Sequence, residues 1–247
     1  MATIQVRFLG SGDAFGSGGR LQTCICIKAT TSTFLLDCGA STLIAMHRFG
    51  VAPNDIDMIL LTHLHGDHFG GLPFFVLDAQ LISKRSRPLV IVGPAGTKRR
   101  VGEAMEIFFP GSTQVQRSFF LDIRELVLNQ PQTLGDVMVT AYRVQHPSGD
   151  PSLALRVECQ GKTITYSGDT EWIETLLPAA KGADLLIAEA YFFAKKVKFH
   201  LDFHTLMAHL DELQPKRLIV THMSEDMLTR LEELPCEFAE DGKLIEV

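Results

Sequence analysis

The chain lacks many of the features that would place it quickly. It has 247 residues, yet only one tryptophan and three tyrosines, and its five cysteines (Cys24, Cys26, Cys38, Cys159 and Cys236) form no Cys-x-x-Cys pair. An odd cysteine count without paired spacing argues against a disulfide framework and places the chain in a reducing, cytoplasmic setting. Cys24 and Cys26 alternate in TCICI and read as one packed face of a strand. No segment approaches the ~18 unbroken apolar residues of a membrane helix. The opening MATIQVRFLGSGDAFG has no basic stretch followed by an apolar core, so no secretory signal is expected. Positive charge is also short: 23 Lys and Arg face 29 Asp and Glu, a net charge of −6. Such a chain has no global attraction for polyanions, and any such binding must come from local basic patches. Repeats, low-complexity tracts and linkers are absent, so one domain over residues 1–247 is expected.

What is present is the balance of an ordinary globular protein, 46% hydrophobic and 21% charged residues. Short β-rich runs open the chain (TIQVRFL, LQTCICIKA, TFLLDCG), and ASTLIAMHRFG follows as a helix stopped by Gly50. MILLT and LVIVG read as buried strands, while GGLPFFVLDAQLISK and TKRRVGEAMEIFF read as helices. In the second half VMVTAYRV, LALRVEC, TITYSG, ADLLIAEA and RLIVT read as strands. TEWIETLLPAA and SEDMLTRLEEL read as helices, the latter with Ser224 as its N-cap. In FHTLMAHLDEL, Phe203, Leu206, Met207, Leu210 and Leu213 form a helical stripe. Long strand runs in each half with helices between them predict an α/β (α+β) chain with two mixed sheets packed together and helices outside.

The strongest signal is THLHGDHFGG at 62–71, where His63, His65, Asp67 and His68 crowd within six positions after a buried strand. His63 and His65 are two apart, so in extended chain they project the same way and can grip one ion. Gly66 allows a sharp turn that would leave Asp67 and His68 facing a second. Imidazole and carboxylate without thiolate suit zinc, and also manganese or iron. His146 (YRVQHP), Asp169 (TYSGDT) and His222 (LIVTHMS) each lie just past an apolar strand, and strand ends converging on one sheet edge are a natural site.

This set, His63-x-His65-x-Asp67-His68 with His146, Asp169 and His222, resembles the metallo-β-lactamase superfamily over nearly the whole chain. The resemblance implies an αββα sandwich with two divalent metal ions, zinc first and manganese or iron as alternatives. It assigns His63, His65 and His146 to one ion, Asp67, His68 and His222 to the other, and Asp169 as the bridge. Asp169 stands where true β-lactamases carry cysteine, and His65 where the oxygen-reducing members carry glutamate, so neither activity is expected. FLGSGDAFG, SGDT, AEA and HLD…LIVTHMS look like the ribonuclease Z and phosphodiesterase branch. That likeness gives His200 the role of proton donor to the leaving group and Glu189 that of its support, with Asp67 orienting the attacking water and taking its proton. His204, His209 and His47 read as helix-surface residues.

Ribonuclease Z enzymes insert a long tRNA-clamping arm between the second histidine and the bridging aspartate, whereas here 22 residues filled by two strands separate His146 from Asp169. The expected substrate is therefore a small phosphodiester or nucleic-acid fragment rather than tRNA, with no membrane partner and a homodimer implied by the resemblance. The rivals are a lactone or thioester hydrolase of the same superfamily and a non-catalytic small-molecule binder. GSGDAFGSGG (10–19) is followed by a strand, lacks the helix N-terminus that cradles phosphate, and is expected to be a flexible wall of the site. The basic runs Lys84/Arg85/Arg87, Lys98/Arg99/Arg100 and Lys195/Lys196/Lys198 read as solvated, the last being close enough to His200 to meet a substrate phosphate.

Overall fold

The structure is a computed structural model and describes residues 3–149 and 151–247. The first half supplies β1 (Gln5–Gly10), β2 (Cys24–Lys28), β3 (Thr33–Leu36), β4 (Met58–Leu60), β5 (Leu89–Gly93) and β6 (Leu121–Glu125). The second supplies β7 (Pro131–Leu134), β8 (Val137–Val144), β9 (Ser152–Cys159), β10 (Lys162–Tyr166), β11 (Leu185–Glu189), β12 (Leu218–Thr221), β13 (Glu237–Phe238) and β14 (Leu244–Glu246). They form two seven-stranded sheets, ordered β14-β1-β2-β3-β4-β5-β6 and β13-β12-β11-β10-β9-β8-β7. The C-terminal β14 crosses back to pair with β1, Val6 facing Ile245.

Period-two alternation decides which side chains meet. Val6, Phe8, Ile25, Ile27, Phe34, Leu36, Met58 and Leu60 turn inward and meet Val137, Val139, Leu153, Leu155, Ile164, Ile187 and Ile219 of the other sheet. The intervening residues of the first sheet, among them Cys24, Cys26, Leu35 and Ile59, turn outward. There they pack under α1 (Thr42–Phe49), α3 (Leu72–Leu81) and α4 (Thr97–Phe108), with the single-turn α2 (Gly66–Phe69) ahead of α3. On the second sheet Leu186, Ala188, Leu218 and Val220 face outward under α5 (Leu176–Ala180), α6 (Phe203–Ala208), α7 (Leu210–Leu213) and α8 (Glu225–Leu228). Three apolar layers between four structural layers make the αββα sandwich expected from the sequence. At ~1.5–3 kcal/mol for each fully buried large apolar side chain, the layer between the sheets is the main adhesive. No helix among the described residues is long and apolar enough to cross a membrane.

Several expectations need correction. TEWIETLLPAA is helical only over Leu176–Ala180. FHTLMAHLDEL breaks at His209, whose ring lies flat on Trp172 (centroids 3.7 Å apart) while its Nδ1 meets Glu212 at 2.8 Å. SEDMLTRLEEL yields one α-helical turn, Glu225–Leu228, and a 3-10 turn, Leu231–Glu233; Ser224 stands at the N-cap position as expected, but its hydroxyl donates to the Tyr191 carbonyl and accepts no helix N–H. Gly66 is not required by its turn, since a Cβ there would meet nothing. Arg85 is not solvated but buried, donating to the carbonyls of Pro53, Ile56, Arg87 and Pro88 and tying the loop before β4 to the loop before β5.

Candidate metal centre

All the donors sit at one edge of the sandwich. β3 and β4 run parallel, as do β10, β11 and β12, so their C-terminal ends open on the same side, and β8 ends there too. His63 and His65 follow β4, Asp67 and His68 belong to α2, His146 follows β8, Asp169 follows β10 and His222 follows β12. Two backbone positions are demanding. Gly168 has φ +58, and a Cβ on it would stand 2.7 Å from the Leu153 carbonyl oxygen, so glycine is needed ahead of Asp169. His222 itself has φ +56 and is held there by its N–H bond to the Ser11 carbonyl at 3.2 Å.

The seven residues form two groups whose ligand atoms lie within 4.8 Å of one another, His63/His65/His146 and Asp67/His68/Asp169/His222. His65 Nδ1 and His146 Nε2 are 3.0 Å apart. In the second group His68 Nε2 is 3.2 Å from Asp67 Oδ2 and 3.3 Å from Asp169 Oδ1, and His222 Nε2 is 3.3 Å from Asp67 Oδ2 and 3.4 Å from Asp169 Oδ2. Asp169 Oδ2 also lies 3.8 Å from both His63 Nε2 and His146 Nε2. Asp169 therefore stands between the groups.

Neighbouring bonds select the nitrogen each imidazole presents. The Thr62 hydroxyl donates to Asp37 Oδ2 (2.8 Å) and can accept from His63 Nδ1 (3.0 Å), which leaves His63 Nε2 as a free lone pair. His68 Nδ1 donates to the same Asp37 oxygen (2.7 Å), and His146 Nδ1 donates to the Phe199 carbonyl (2.9 Å). Each therefore turns Nε2 to the centre, the outer bond fixing tautomer and ring plane as in metal-binding histidines generally. His63 Nε2 and Asp169 Oδ1 are buried without a hydrogen-bond partner. Buried polar atoms of this kind ordinarily have one, so an unpartnered atom of ligand type in each group fits cation binding. Asp37, Thr62 and the Phe199 carbonyl were not singled out from the sequence. Asp37 offered one signal, a polar residue directly after an apolar strand, and it adopts φ +59, a region aspartate tolerates.

The electrostatics agree. Burial, reinforced by His68, holds His63 well below the ordinary histidine range, and burial brings His146 down to about 4. For His68 and His222 burial acts downward too, but Asp169 and the other carboxylates outweigh it, raising His68 and lifting His222 to about 9. Burial alone would raise Asp67, yet His68 and His222 hold it well below the carboxylate range.

His200 and Glu189 lie beside this cluster. His200 Nδ1 meets Glu189 Oε2 at 2.9 Å, and Glu189 is fully buried, its other oxygen accepting the Thr170 N–H. Burial, then Asp169, raises the Glu189 carboxyl, and Glu189 in turn overcomes burial to raise His200. His204 and His47 are exposed. The 10–19 segment does wall the site through Ser11, but it is pinned: Asp13 accepts from Phe15 N, Ser17 N and the Ser17 hydroxyl, and Asp241 accepts from Ser11 N and Leu21 N.

An αββα sandwich with this donor set at its edge defines a metallo-β-lactamase-superfamily protein of the ribonuclease Z and phosphodiesterase branch. Within that class, residues 4–245 match the model of the Anti-Pycsar protein Apyc1 family, and the chain belongs to that family. It is 26% identical to a ribonuclease Z of Lachnoclostridium phytofermentans, covering 93% of this chain and 90% of that one. Its fold superposes on human short-form tRNase Z with a TM-score of 0.80 at 25% identity, over 98% of each chain. It also superposes on the metallo-β-lactamase-fold protein YhfI of Bacillus subtilis with a TM-score of 0.78 at 21% identity, over 99% of this chain and all of that one.

Proposed function

We propose that the protein is a metal-dependent phosphodiesterase acting on a small phosphodiester. The observation that carries this reading is the His200–Glu189 pair, a proton donor braced by a buried carboxylate at 2.9 Å beside a cluster of metal-ligand type. His63, His65 and His146 would hold one divalent ion and Asp67, His68 and His222 another, with Asp169 available to both, zinc being the first choice for imidazole and carboxylate donors. Bound ions of this kind lower the pKa of water and stabilise charge on phosphoryl oxygens. Asp67 orients the attacking water; with its pKa depressed, it is a better positioner than proton sink. His200 protonates the leaving oxygen, a contribution worth ~10²–10⁴-fold, and Glu189 holds it on target.

The small substrate follows from the space between His146 and Asp169, which β9 and β10 fill. About 230 residues of this chain spread over 283 aligned positions with the ribonuclease Z, so that enzyme carries segments this chain lacks. The exposed apolar residues Phe74, Leu81, Ile82, Ile107 and Phe108, on α3, α4 and the turn after α3, support a homodimer formed through this surface. Light scattering of wild type and Ile107→Glu tests that dimer, which the variant should dissociate.

The test of the activity is hydrolysis of bis(p-nitrophenyl) phosphate by metal-stripped protein reloaded with zinc or manganese, alongside a lactone and a thioester. Metal-dependent turnover of the phosphodiester, abolished in Asp67→Ala, supports the reading. Turnover of only the carbonyl substrates overturns it.

A further inference from the structure

The three tyrosines serve different surroundings. Tyr166 belongs to the layer between the sheets, and Tyr142 packs on the layer beneath α5–α8. Tyr191 joins none of the three apolar layers. Its ring lies instead on His200, centroids 4.6 Å apart and planes within 29°. From this geometry we infer that Tyr191 is the positioning residue for His200, an inference that rests on reading His200 as the proton donor.

The physical need is clear from what holds the imidazole. Glu189 secures it at Nδ1 alone. A ring tethered at one atom still pivots, and a pivot swings Nε2, the atom that must reach the leaving oxygen. Neighbouring rings limit that freedom: Tyr191 stacks on the imidazole at 4.6 Å, His222 runs near-parallel to it at 5.9 Å with planes within 12°, and His146 meets it edge-on at 5.0 Å. His222 and His146 are occupied with the metal centre. Tyr191 is thus the neighbour whose place is set independently of the ions.

Tyr191 is itself fixed at both ends. Its N–H donates to the Leu201 carbonyl (2.8 Å) and its carbonyl accepts from Ser224 N (3.0 Å). Its hydroxyl faces Asp13, the residue around which the 13–17 turn is built. Positioning to within a fraction of an ångström is what effective proton transfer demands.

The experiment compares Tyr191→Leu, Tyr191→Met and Tyr191→Phe with wild type and His200→Ala, all zinc-loaded. The substrates are bis(p-nitrophenyl) phosphate, with a good leaving group, and diphenyl phosphate, with a poor one. Metal content and the fluorescence of Trp172, three residues from Asp169, check that each variant keeps its centre. Leu and Met should lower kcat on diphenyl phosphate by ~10-fold or more while changing kcat on the nitrophenyl ester by less than ~2-fold, with KM unchanged on both; Phe should restore wild-type behaviour. Equal losses on both substrates, or a Phe variant as impaired as Leu, would overturn the inference. A selective loss in His200→Ala without one in Tyr191→Leu and Tyr191→Met sinks the role of Tyr191 alone. Equal losses in His200→Ala remove the proton donor itself, and the inference with it.

Discussion

The two halves of the metal centre differ in charge more than in shape. His63, His65 and His146 are three imidazoles with no carboxylate of their own, and two of them are held unprotonated near neutrality. Asp67, His68, Asp169 and His222 are two imidazoles among carboxylates, with Asp37 behind His68 and Glu189 behind His222 at 4.0 Å. The first half presents lone pairs at once. In the second the carboxylates pull protons onto the very nitrogens a cation would use. The difference teaches that one edge of a fold can set two neighbouring donor groups of unequal proton linkage side by side, simply by where it places its aspartates.

The harshest way to break the comparison is to remove what the halves share. Asp169→Ala should release metal from both and lower phosphodiesterase activity by at least the ~10²–10³-fold seen when one preorganised electrostatic group is lost. Metal analysis and kcat together check it, and a variant that keeps both ions would contradict the bridging role. Next in size is the pH dependence of zinc affinity. His222, raised to about 9, and His68, also raised, must give up protons to bind, so the carboxylate-rich half should gain affinity as pH rises from 6 to 8.5, by about tenfold per unit for each proton displaced. The imidazole half, with His146 lowered to about 4, should change little over that range. Calorimetry in buffers of different ionisation enthalpy counts the protons released, and two binding events with equal pH slopes would erase the distinction.

How much of this was legible beforehand follows a physical line. Side chains that carry their chemistry in their identity, such as His63, His65, Asp67 and His68, announce themselves when crowded together. Alternating apolar runs announce strands, which is why both sheets were readable. Asp37 was not, because a lone aspartate after LL resembles any turn residue until β3 pairs with β4 and brings it to Thr62 N at 2.8 Å. The Phe199 carbonyl has no signature at all, since any residue has a carbonyl and only φ +71 aims this one. Arg85 was misread because a basic run looks solvated until four carbonyls surround one of its members. The weak strand β14 depends on β1 at the far end of the chain, and β7 and β13 are too short and polar for pattern alone to reveal them.

The supporting residues sharpen the contrast further. Asp37 accepts from His68 Nδ1, and Asp37→Asn would place an amide where an acceptor is needed, so affinity in the carboxylate-rich half should fall by ~10–100-fold, the usual effect of losing such a support. Thr62→Val removes the hydroxyl that meets His63 Nδ1 and should weaken the imidazole half by the lower end of that range. Zinc titrations that resolve the two events would show whether each change stays in its own half.

The smallest effect concerns Tyr166, which lies beneath both halves with its hydroxyl buried and unpartnered. Burial, then the charges of Asp37, Asp169, Glu189 and Asp67, raise its pKa, so it stays neutral and contributes no charge to either half. Tyr166→Phe deletes an oxygen that makes no protein hydrogen bond, and an unpaired buried polar group is a cost to the folded state rather than a support. Stability in urea should therefore change by less than ~1 kcal/mol or rise, with both zinc affinities intact. A loss of ~1–3 kcal/mol would mean that the hydroxyl is bonded in solution. The carboxylate-rich half would then extend its hydrogen bonds down into the layer between the sheets.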